Sequence, residues 1–409
     1  MISCDCLIIG GGPAGMSAAL SAAQNGSKTI IVERNSCLGG ILNQCIHNGF
    51  GLHYFGEELT GPEFAHRLIQ KIKKQENLFV MLNTFVTKIE PNKVVISNVD
   101  GVQTIKFKSL VLAMGCREKT AANILLTGTR PAGIYTAGTA QKLVNMHGKM
   151  VGKNVVILGS GDIGLIMARR LTLEGAKVHS IFEINSTSSG LRRNIMQCVE
   201  DFNIPLLYNT TICEVVGTDR VEGVWYAQVD KNWKPIQSTK KFIKCDCIIL
   251  SVGLAPEMDL VENLPISKTG GTFVDEFYMT NTPGVFSAGN VLHVHDLVDN
   301  VANESSSAGK FASDYAQGKL KFGNKVNVVA GNAVSYVVPS FAYLSNGEFI
   351  AKFRLTQKVV KKWIVAKSNG IELGKMFVLA GVPGEMLSLK VNKEKLCGDI
   401  VVEVQEWKN

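Results

Sequence analysis

Three glycines and an acid are the first residues whose types and spacing suggest chemistry. Gly10, Gly12 and Gly15 follow the pattern Gly-x-Gly-x-x-Gly, and Glu33 lies at the end of the next apolar run. The first glycine of such a pattern permits a tight turn, the second lets backbone approach a pyrophosphate, and the third lets a helix pack on a strand. The pyrophosphate rests on the helix N-terminus, and the acid binds ribose hydroxyls. These residues predict a dinucleotide site.

A second group repeats the first, with glycines between Gly159 and Gly164 and an acid at Glu183. A carboxylate at this position binds the ribose 2′-hydroxyl and repels a 2′-phosphate, so NAD(H) is predicted in preference to NADP(H). Arg192 and Arg193 leave an alternative open, because they are either ligands of a 2′-phosphate or the exposed start of a helix.

The elements that must position these groups follow the same order twice. Residues 5–9 and 29–32 are short apolar runs typical of strands, and the residues between them continue from the glycine turn into a helical pattern. Strand, glycine turn, helix, strand and acid recur over residues 154–183. Two such βαβ units, about 150 residues apart, predict two dinucleotide-binding domains of the Rossmann type.

Two short segments resemble each other and support nesting of one domain within the other. Residues 4–9 begin Cys-Asp-Cys and continue with apolar residues, and residues 245–250 do the same. Side chains two apart on a strand share one face, and small thiols are well tolerated in a core. These cysteines are therefore interpreted as core residues, and no metal site is predicted.

The last quarter of the sequence has a different pattern. From about Val326, short alternating runs are separated by Asn346-Gly347, Asn369-Gly370 and Pro383-Gly384, which are turn signals. The predicted fold class is α/β, with two nested Rossmann-like domains of three ββα layers and a small C-terminal all-β domain. The first dinucleotide-binding domain is placed at residues 1–118 and 246–320, the second, NAD-binding domain at 119–245 and the β domain at 321–409.

Composition restricts the classes of function. The chain has 409 residues, 46% of them apolar and 19% charged, with a formal net charge of +8. The lysines are scattered, so nucleic-acid binding is not predicted, and those of the basic tail are interpreted as a solvated rim on strands. No apolar run reaches the ~18 residues of a membrane span, and the N-terminus lacks the basic start of a signal peptide. A cytoplasmic protein with its ten cysteines as thiols is expected.

The glycine turns and three further motifs resemble those of the two-dinucleotide flavoprotein reductases, the pyridine nucleotide-disulfide oxidoreductases. Residues 113–115, Ala-Met-Gly, and 251–253, Ser-Val-Gly, stand where the chain of these proteins leaves and re-enters the FAD domain. Residues 280–290 resemble their second FAD motif, with Asn290 in place of the usual Asp. The resemblance covers about residues 1–318 and implies FAD and NAD(H) as cofactors.

Residues 39–67 resemble most closely the thioredoxin-reductase branch of this family. That resemblance implies that Asn48 touches the flavin ring and that Val86 offers backbone to the adenine. The predicted FAD-binding residues are Gly10, Gly12, Pro13, Ala14, Gly15, Glu33, Arg34, Gly40, Asn48, Val86, Ala113, Met114, Gly115, Gly289 and Asn290. The predicted NAD-binding residues are Gly159, Gly161, Asp162, Ile163, Gly164, Glu183 and Gly253.

The redox dithiols of this family are missing from the sequence. Residues 133–139 occupy the place of the thioredoxin-reductase Cys-x-x-Cys and contain no cysteine. Glutathione reductases carry two cysteines shortly after the Gly-Gly of the flavin loop, where this sequence has only Cys45. Cys45 is either a single catalytic thiol, as in some peroxide-reducing relatives, or a packed thiol without a redox role. His293 and His295 follow the second FAD motif, where they either move protons during two-electron chemistry or only satisfy backbone groups.

The amino-acid sequences of residues 40–47 and 291–296 resemble those of a narrower group of flavoproteins. This group is related to the α subunits of sarcosine oxidase and hydrogen cyanide synthase and to subunits accompanying anaerobic glycerol-3-phosphate dehydrogenases. The resemblance implies an oxidoreductase that passes electrons between NAD(H), FAD and a partner protein or dehydrogenase subunit, with a homo-oligomer as one possible assembly. Two alternatives remain open: an NADH oxidase or peroxidase using Cys45, and a nucleotide-dependent sensing or assembly protein with structural FAD.

Overall fold

The computed structural model describes residues 2–406, which form two compact units. Of the described residues, one unit comprises 2–116 and 256–406, and the other is the insertion 117–255. The fold class agrees with the sequence prediction, and the inserted unit contains the segment predicted to bind NAD. The β-rich tail lies in the same unit as residues 1–116 rather than in a unit of its own.

The first unit is built around a five-stranded parallel sheet. Its strands, in spatial order, are Val285–Ser287, Ser109–Leu112, Cys6–Ile9, Thr29–Val32 and Leu78–Met81. Side chains on one face of this sheet pack against three helices, Pro13–Gln24, Gly61–Ile72 and Val298–Ala316. Side chains on the other face pack against a four-stranded sheet of Ile2–Ser3, Gly101–Lys106, Lys93–Asn98 and Phe85–Glu90. The result is the predicted order of sheet, sheet and helices.

Two of these helices approach each other unusually closely. The helix Pro13–Gln24 is rich in alanine, and nine of its twelve residues are buried. At Gly309 of the helix Val298–Ala316, a Cβ atom would lie 2.0 Å from the backbone oxygen of Ala18. Only glycine permits this approach, which brings the start of the later helix beside the first glycine turn.

The inserted unit has its own parallel sheet of five strands. The strands are Ile134–Thr136, Cys247–Leu250, Asn154–Leu158, Lys177–Phe182 and Leu206–Leu207 in spatial order. Helices Ala137–His147, Asp162–Leu173, Arg192–Ile195 and the π-helix Met196–Glu200 belong to this unit. A three-stranded antiparallel sheet of Thr210–Val216, Gly223–Gln228 and Lys241–Lys244 completes it.

The tail forms two antiparallel-rich sheets around one apolar core. Five strands form one sheet in the order Phe341–Tyr343, Lys325–Ala330, Ile400–Glu406, Val359–Ser368 and Ile371–Gly381. The other consists of Val334–Val338, Glu348–Leu355 and Leu387–Asn392. Asn369 and Gly370, both at positive φ, connect two neighbouring strands as the sequence predicts.

The remaining elements are short. They are the strands Asn48–Phe50, Leu59–Thr60, Cys116–Glu118 and Leu254–Pro256 and the 3₁₀ helices Gly40–Gln44, Gln237–Thr239, Asp259–Val261 and Gly289–Val291. Within residues 2–406, no helix combines the length and the apolar composition needed to cross a membrane.

Candidate functional site

The first glycine turn has the geometry of an anion cradle. A Cβ atom on Gly15 would lie 1.7 Å from the backbone oxygen of Gly10, so the helix can start this close to the strand only with glycine there. A Cβ atom on Gly12 would meet no atom within 4 Å. Gly12 precedes the helix that starts at Pro13, and no side chain caps that helix. The open space and the uncapped N-terminus fit a pyrophosphate.

Glu33 completes this turn from the next strand. Its carboxylate is 5% exposed, and its Oε2 accepts a hydrogen bond from the backbone N–H of Gly11 at 2.6 Å. Its Oε1 accepts another from the N–H of Asn35 at 2.7 Å. The acid therefore holds the turn while keeping lone pairs for ribose hydroxyls. Arg34, next to it, is exposed, and Val86 is buried in the neighbouring sheet.

Segments far apart in the sequence converge on this turn. A Cβ atom on Gly40 would lie 3.0 Å from the Cα of Gly12, and one on Gly289 would lie 2.7 Å from the Cβ of Ala14. The backbone of Ala113, which directly follows the strand Ser109–Leu112, approaches the same turn. The two FAD motifs and the flavin loop thus lie together, as FAD binding requires, and Met114 and Gly115 continue from Ala113.

The loop that carries Asn48 is held by an acid that the sequence analysis did not single out. Asn48 is exposed, and the backbone N–H groups of Gly51, His53 and Tyr54 all donate to the carboxylate of Asp299, at 2.9–3.1 Å. Asp299 is buried in the first turn of the helix Val298–Ala316. An acid in a first helical turn is the signal that could have identified it.

Cys45 lies in a closed environment. Its side chain is 5% exposed, and its thiol donates to the backbone oxygen of Ile41 at 3.3 Å. Burial raises the pKa of this thiol to about 12. The thiolate is the nucleophilic form of cysteine, so this environment disfavours a catalytic role for Cys45. All ten cysteines lie within residues 2–406 and none forms a disulfide there.

His293 and His295 point away from solvent and towards one carboxylate. Their Nε2 atoms lie 2.8 and 3.1 Å from the two oxygens of Glu304, and all three side chains are fully buried. The ammonium of Lys352 lies 2.7 Å from Glu304 Oε2. Burial lowers the pKa of His295 to about 4. Burial alone would raise the pKa of Glu304, but the charge of Lys352 and the two imidazoles hold it well below its usual value.

Two lysines of the tail correct its interpretation as a solvated rim, and the side chains around Glu304 bear on the prediction that no metal is bound. Lys352 and Lys393 of the tail are buried rather than part of a solvated rim, because each pairs with a buried acid, Glu304 and Glu276. His293, His295 and Glu304 have ligand atoms within 4.8 Å of one another, a spacing suited to a metal ion. Lys352 already supplies a positive charge to this carboxylate.

The second glycine turn is shaped by a serine from a neighbouring strand end. A Cβ atom on Gly164 would lie 2.5 Å from the Cβ of Ser251, and the N–H of Gly164 donates to Ser251 Oγ at 3.1 Å. Gly161, with no side-chain cap, precedes the helix Asp162–Leu173. Gly253 follows at positive φ. The turn fits a second pyrophosphate, with Ile163 half-buried in the first helical turn.

Glu183 takes the place in the inserted unit that Glu33 takes in the first. Its Oε2 accepts hydrogen bonds from the N–H and the hydroxyl of Ser160, at 3.0 and 2.5 Å. Its Oε1 accepts from the backbone and side chain of Asn185. Asp162 accepts from Leu191 N and Asn194 Nδ2, at 2.8 and 2.6 Å, and so fixes the loop beside the turn.

Two exposed arginines follow that loop. Arg192 and Arg193 open the short helix Arg192–Ile195, and both side chains are exposed. This agrees with an exposed helix start. Their positive charges remain close in sequence to the loop that Asp162 fixes.

A cavity of about 450 Å³ lies in the inserted unit beside the segment that replaces the family dithiol. Two threonine hydroxyls of that segment, on Thr136 and Thr139, are 2.9 Å apart, and Glu118 lies 2.5 Å from the first. The lining residues are Thr120, Ala121, Ala122, Leu126, Thr129, Arg130, Pro131, Ile134, Tyr135, Thr136, Thr139 and Leu250. Hydroxyls cannot form a disulfide, so this segment offers no dithiol chemistry.

Residues 4–309 match the family described as pyridine nucleotide-disulphide oxidoreductase. The chain belongs to this family. FAD and NAD(P)H are the cofactors of this family, as the sequence predicts. The matched residues include both glycine turns, their acids and the second FAD motif, whereas the β-rich tail lies beyond the match.

Curated relatives are similar at low identity. The hydrogen cyanide synthase subunit HcnB of Pseudomonas protegens is 23% identical over 313 residues, which cover 72% of this chain and 65% of the relative. An NADH dehydrogenase of Ferdinandcohnia aciditolerans is 26% identical over 293 residues, which cover 70% of this chain and 52% of the relative. The match therefore spans between half and two thirds of each relative's length.

Solved structures of thioredoxin reductases share the fold. The enzyme of T. acidophilum superposes with a TM-score of 0.62 at 22% identity, and that of Lactococcus lactis with 0.63 at 21% identity. Each comparison covers 77% of this chain and 99% of the other. These structures confirm the predicted fold class, and the family match confirms the predicted family and cofactors.

Proposed function

We propose that the protein transfers hydride between NADH and FAD and passes electrons to or from a partner protein or subunit. The observation that carries this proposal is the presence of two separate uncapped glycine turns, each completed by a buried acid, in a chain without a dithiol. When bound, the flavin and nicotinamide supply the redox chemistry, and the protein supplies binding and orientation.

Cofactor binding on the first unit rests on Glu33, the cradle at Gly12 and the second turn at Gly289 and Asn290. The Oδ1 of Asn290 accepts a hydrogen bond from the backbone N–H of His295 at 3.0 Å. An amide oxygen has two lone pairs, so one is left for a ribitol hydroxyl. Asn290 can thus replace the usual acid without loss of the acceptor.

The preference for NADH rests on Glu183. Its carboxylate is 3% exposed and sits at the end of the strand Lys177–Phe182, next to the turn. A buried carboxylate there accepts hydrogen bonds from a ribose 2′-hydroxyl but opposes a 2′-phosphate by charge and by space. Arg192 and Arg193 are the residues that would favour NADPH if they turned towards the nucleotide.

A separate electron partner is proposed because the chain offers no thiol relay of its own. The thiol of Cys45 is buried and protonated at neutral pH. The segment that replaces the family dithiol carries threonines in place of cysteines. Among the similar proteins, HcnB is named a subunit of hydrogen cyanide synthase, and a relative in Staphylococcus aureus is named a subunit of alkyl hydroperoxide reductase. These names support, for this chain, a role within a multi-protein system.

Anaerobic reduction of the purified protein by NADH tests the proposal. We expect yellow protein whose FAD is released by acid precipitation, flavin bleaching on mixing with NADH, and steady turnover once a dye acceptor is added. Negligible turnover with bound FAD would support a sensing or assembly role instead. Rapid peroxide reduction without dye, lost in Cys45→Ser, would support the single-thiol enzyme.

A further inference from the structure

Behind the second FAD turn lies a buried group of four side chains, His293, His295, Glu304 and Lys352, here called the Glu304 cluster. Glu304 is 2% exposed and stands in the middle of the helix Val298–Ala316, where its carboxylate is out of reach of water. It accepts hydrogen bonds from both imidazoles and from the ammonium of Lys352. A buried carboxylate with this many donors is a strong local constraint.

The fourth donor to this carboxylate is the FAD turn itself. The backbone N–H of Gly289 donates to Glu304 Oε1 at 2.9 Å. The opposite side of Gly289 packs against Ala14 at the start of the first helix. His295 adds a second tie, because its backbone N–H donates to the Asn290 side chain that faces the predicted ribitol. Glu304 therefore holds the turn at Gly289 in place and acts on the cofactor only through that turn.

The positive charge of the cluster comes from the β-rich tail. Lys352 lies on the strand Glu348–Leu355, and Arg354, two residues later on the same face, donates to Asp296 and to the backbone oxygen of Val294. Both cations of this strand thus hold the segment between the FAD turn and the following helix. The imidazole of His295 is neutral near pH 7, because burial lowers its pKa to about 4. The charge of Lys352 is the largest of the contributions that lower the pKa of Glu304.

We infer that Glu304 is a positioning residue for FAD, and that the β-rich tail takes part in FAD binding by supplying Lys352 as its counter-charge. The inference rests on the proposed function, since it concerns the same FAD turn. A buried charge that loses its partner is strongly destabilised, so loss of Lys352 would pull Glu304 towards protonation or movement and release Gly289. The tail then contributes to FAD binding by the first unit.

A metal ion is the competing occupant of this cluster. The two Nε2 atoms and the carboxylate have a suitable spacing, but Glu304 Oε2 is already paired with the Lys352 ammonium at 2.7 Å. A divalent cation beside Lys352 would also leave a large uncompensated positive charge in a buried place. The geometry favours lysine as the permanent cation.

The test compares FAD affinity in matched lysine variants of the full chain. Lys352→Met removes the buried charge, Lys352→Arg keeps it, and Lys390→Met removes an exposed lysine of the same sheet whose partner Glu348 is also exposed. Apoprotein is titrated with FAD, and the flavin midpoint potential and the affinity for NADH are measured in parallel. We expect about tenfold or weaker FAD binding and a shifted potential for Lys352→Met. Lys352→Arg and Lys390→Met should stay within about threefold of wild type.

A double variant and a shorter acid separate positioning from general stability. Glu304→Gln with Lys352→Met removes both charges and should recover most of the lost FAD affinity, because a neutral pair leaves no unpaired charge. Glu304→Asp keeps the charge but draws the carboxylate back from Gly289, and should weaken FAD binding even if Lys352→Met does not fold. NADH affinity should be unchanged in every folded variant.

Each outcome decides a different point. If wild-type apoprotein binds no FAD, the proposed function fails before this inference is reached. If wild type binds FAD but Glu304→Asp and folded Lys352→Met bind it equally well at an unchanged potential, the inference is wrong, even where thermal stability falls. One zinc or other divalent metal per wild-type chain, lost on Glu304→Gln, would also overturn it in favour of a metal site.

Discussion

The two glycine turns have the same spacing and the same acid, yet their surroundings differ. Nine of the twelve residues of the helix after the first turn are buried, against five of twelve after the second. The first turn is enclosed by Gly40, Ala113 and Gly289, which come from three distant parts of the sequence. The second is shaped mainly by Ser251 and by the loop that follows Glu183.

This difference indicates two kinds of nucleotide site. A turn surrounded by distant segments is rigid and can release its ligand only if several elements separate. A turn bordered by a loop and exposed helix residues can open by a local change. The first turn is therefore suited to a cofactor that stays bound, and the second to a nucleotide that enters and leaves in every cycle.

The sharpest test of this comparison places a methyl group at the third glycine of each turn. In Gly15→Ala the Cβ would overlap backbone, 1.7 Å from the oxygen of Gly10, whereas in Gly164→Ala it would press on the side chain of Ser251 at 2.5 Å. We expect Gly15→Ala to lower the free energy of unfolding by more than about 4 kcal/mol and to be purified without bound FAD. Gly164→Ala should keep FAD and bind NADH more weakly.

FAD content by absorbance and NADH affinity by titration check both variants. Equal loss of FAD in the two proteins would contradict the comparison, because it would show that the second turn supports the first unit as a whole. A double variant, Gly164→Ala with Ser251→Gly, is the control for steric pressure. It loses the serine hydroxyl, which accepts a hydrogen bond from the N–H of Gly164, and it also removes the Cβ that would lie 2.5 Å from the added methyl.

The second prediction uses pH, because only the first turn is backed by the Glu304 cluster. His295 has a folded pKa of about 4, below the 6.5 of an unperturbed histidine, so its contribution to stability is present above pH 6.5 and is lost as pH falls towards 4. The loss is on the order of 3 kcal/mol by pH 4. The charged or titratable groups that face this ring are Glu304, His293 and Lys352.

Urea unfolding at pH 7 and pH 5, followed by flavin fluorescence, measures the part of this loss that occurs above pH 5. His295→Gln should be less stable at pH 7 but should depend less on pH than wild type, since no imidazole is left to be protonated. NADH affinity of folded protein should stay level over the same range. A pH dependence that is unchanged in His295→Gln would assign the acid sensitivity to other groups.

The structure clarifies which features the sequence could and could not reveal. The glycine turns, Glu33, Glu183 and the turn at Asn369-Gly370 were predictable, because local spacing and backbone requirements define them. Glu304 and Lys352 were not, since they are 48 residues apart and meet only through the packing of the tail on the first unit. A buried acid in a helix has the same local sequence as an exposed one.

The same reasoning explains why the tail lysines were misinterpreted. Alternation along the strand Glu348–Leu355 predicts two faces but not which face meets another domain. The sequence places Lys352 on one face of that strand, and only the tertiary structure reveals that this face lies against the helix Val298–Ala316. The contact of Ser251 with Gly164 was missed for a similar reason, because it joins a strand end to the first turn of a helix 87 residues away.

The third prediction compares the two acids. Glu183→Ala should narrow the ratio of flavin reduction rates with NADH and NADPH, because a hydrogen bond to a charged group contributes about 1.5–3 kcal/mol. Glu33→Ala should instead weaken FAD binding and leave that ratio unchanged. Stopped-flow reduction with each nucleotide measures the ratio, and protein-bound FAD is quantified alongside. Equal or faster reduction of wild type by NADPH would identify Arg192 and Arg193 as phosphate ligands.

The smallest expected effect concerns Cys45, the one thiol that the sequence analysis offered as a catalytic candidate. Its pKa of about 12 keeps it protonated, and its neighbour Gly61 is so close that an added Cβ would lie 2.9 Å from the Cys45 Cβ. Nicotinamide can reduce flavin directly, so no step of that transfer needs a thiol. In Cys45→Ser, the rate of flavin reduction by NADH should therefore stay within about threefold of the wild-type rate, and the FAD content should be equal. No long-wavelength absorbance from a thiolate beside the flavin is expected in wild type. A much slower variant that still contains FAD would show that the first unit holds a redox group of its own, and the two turns would then differ in chemistry as well as in enclosure.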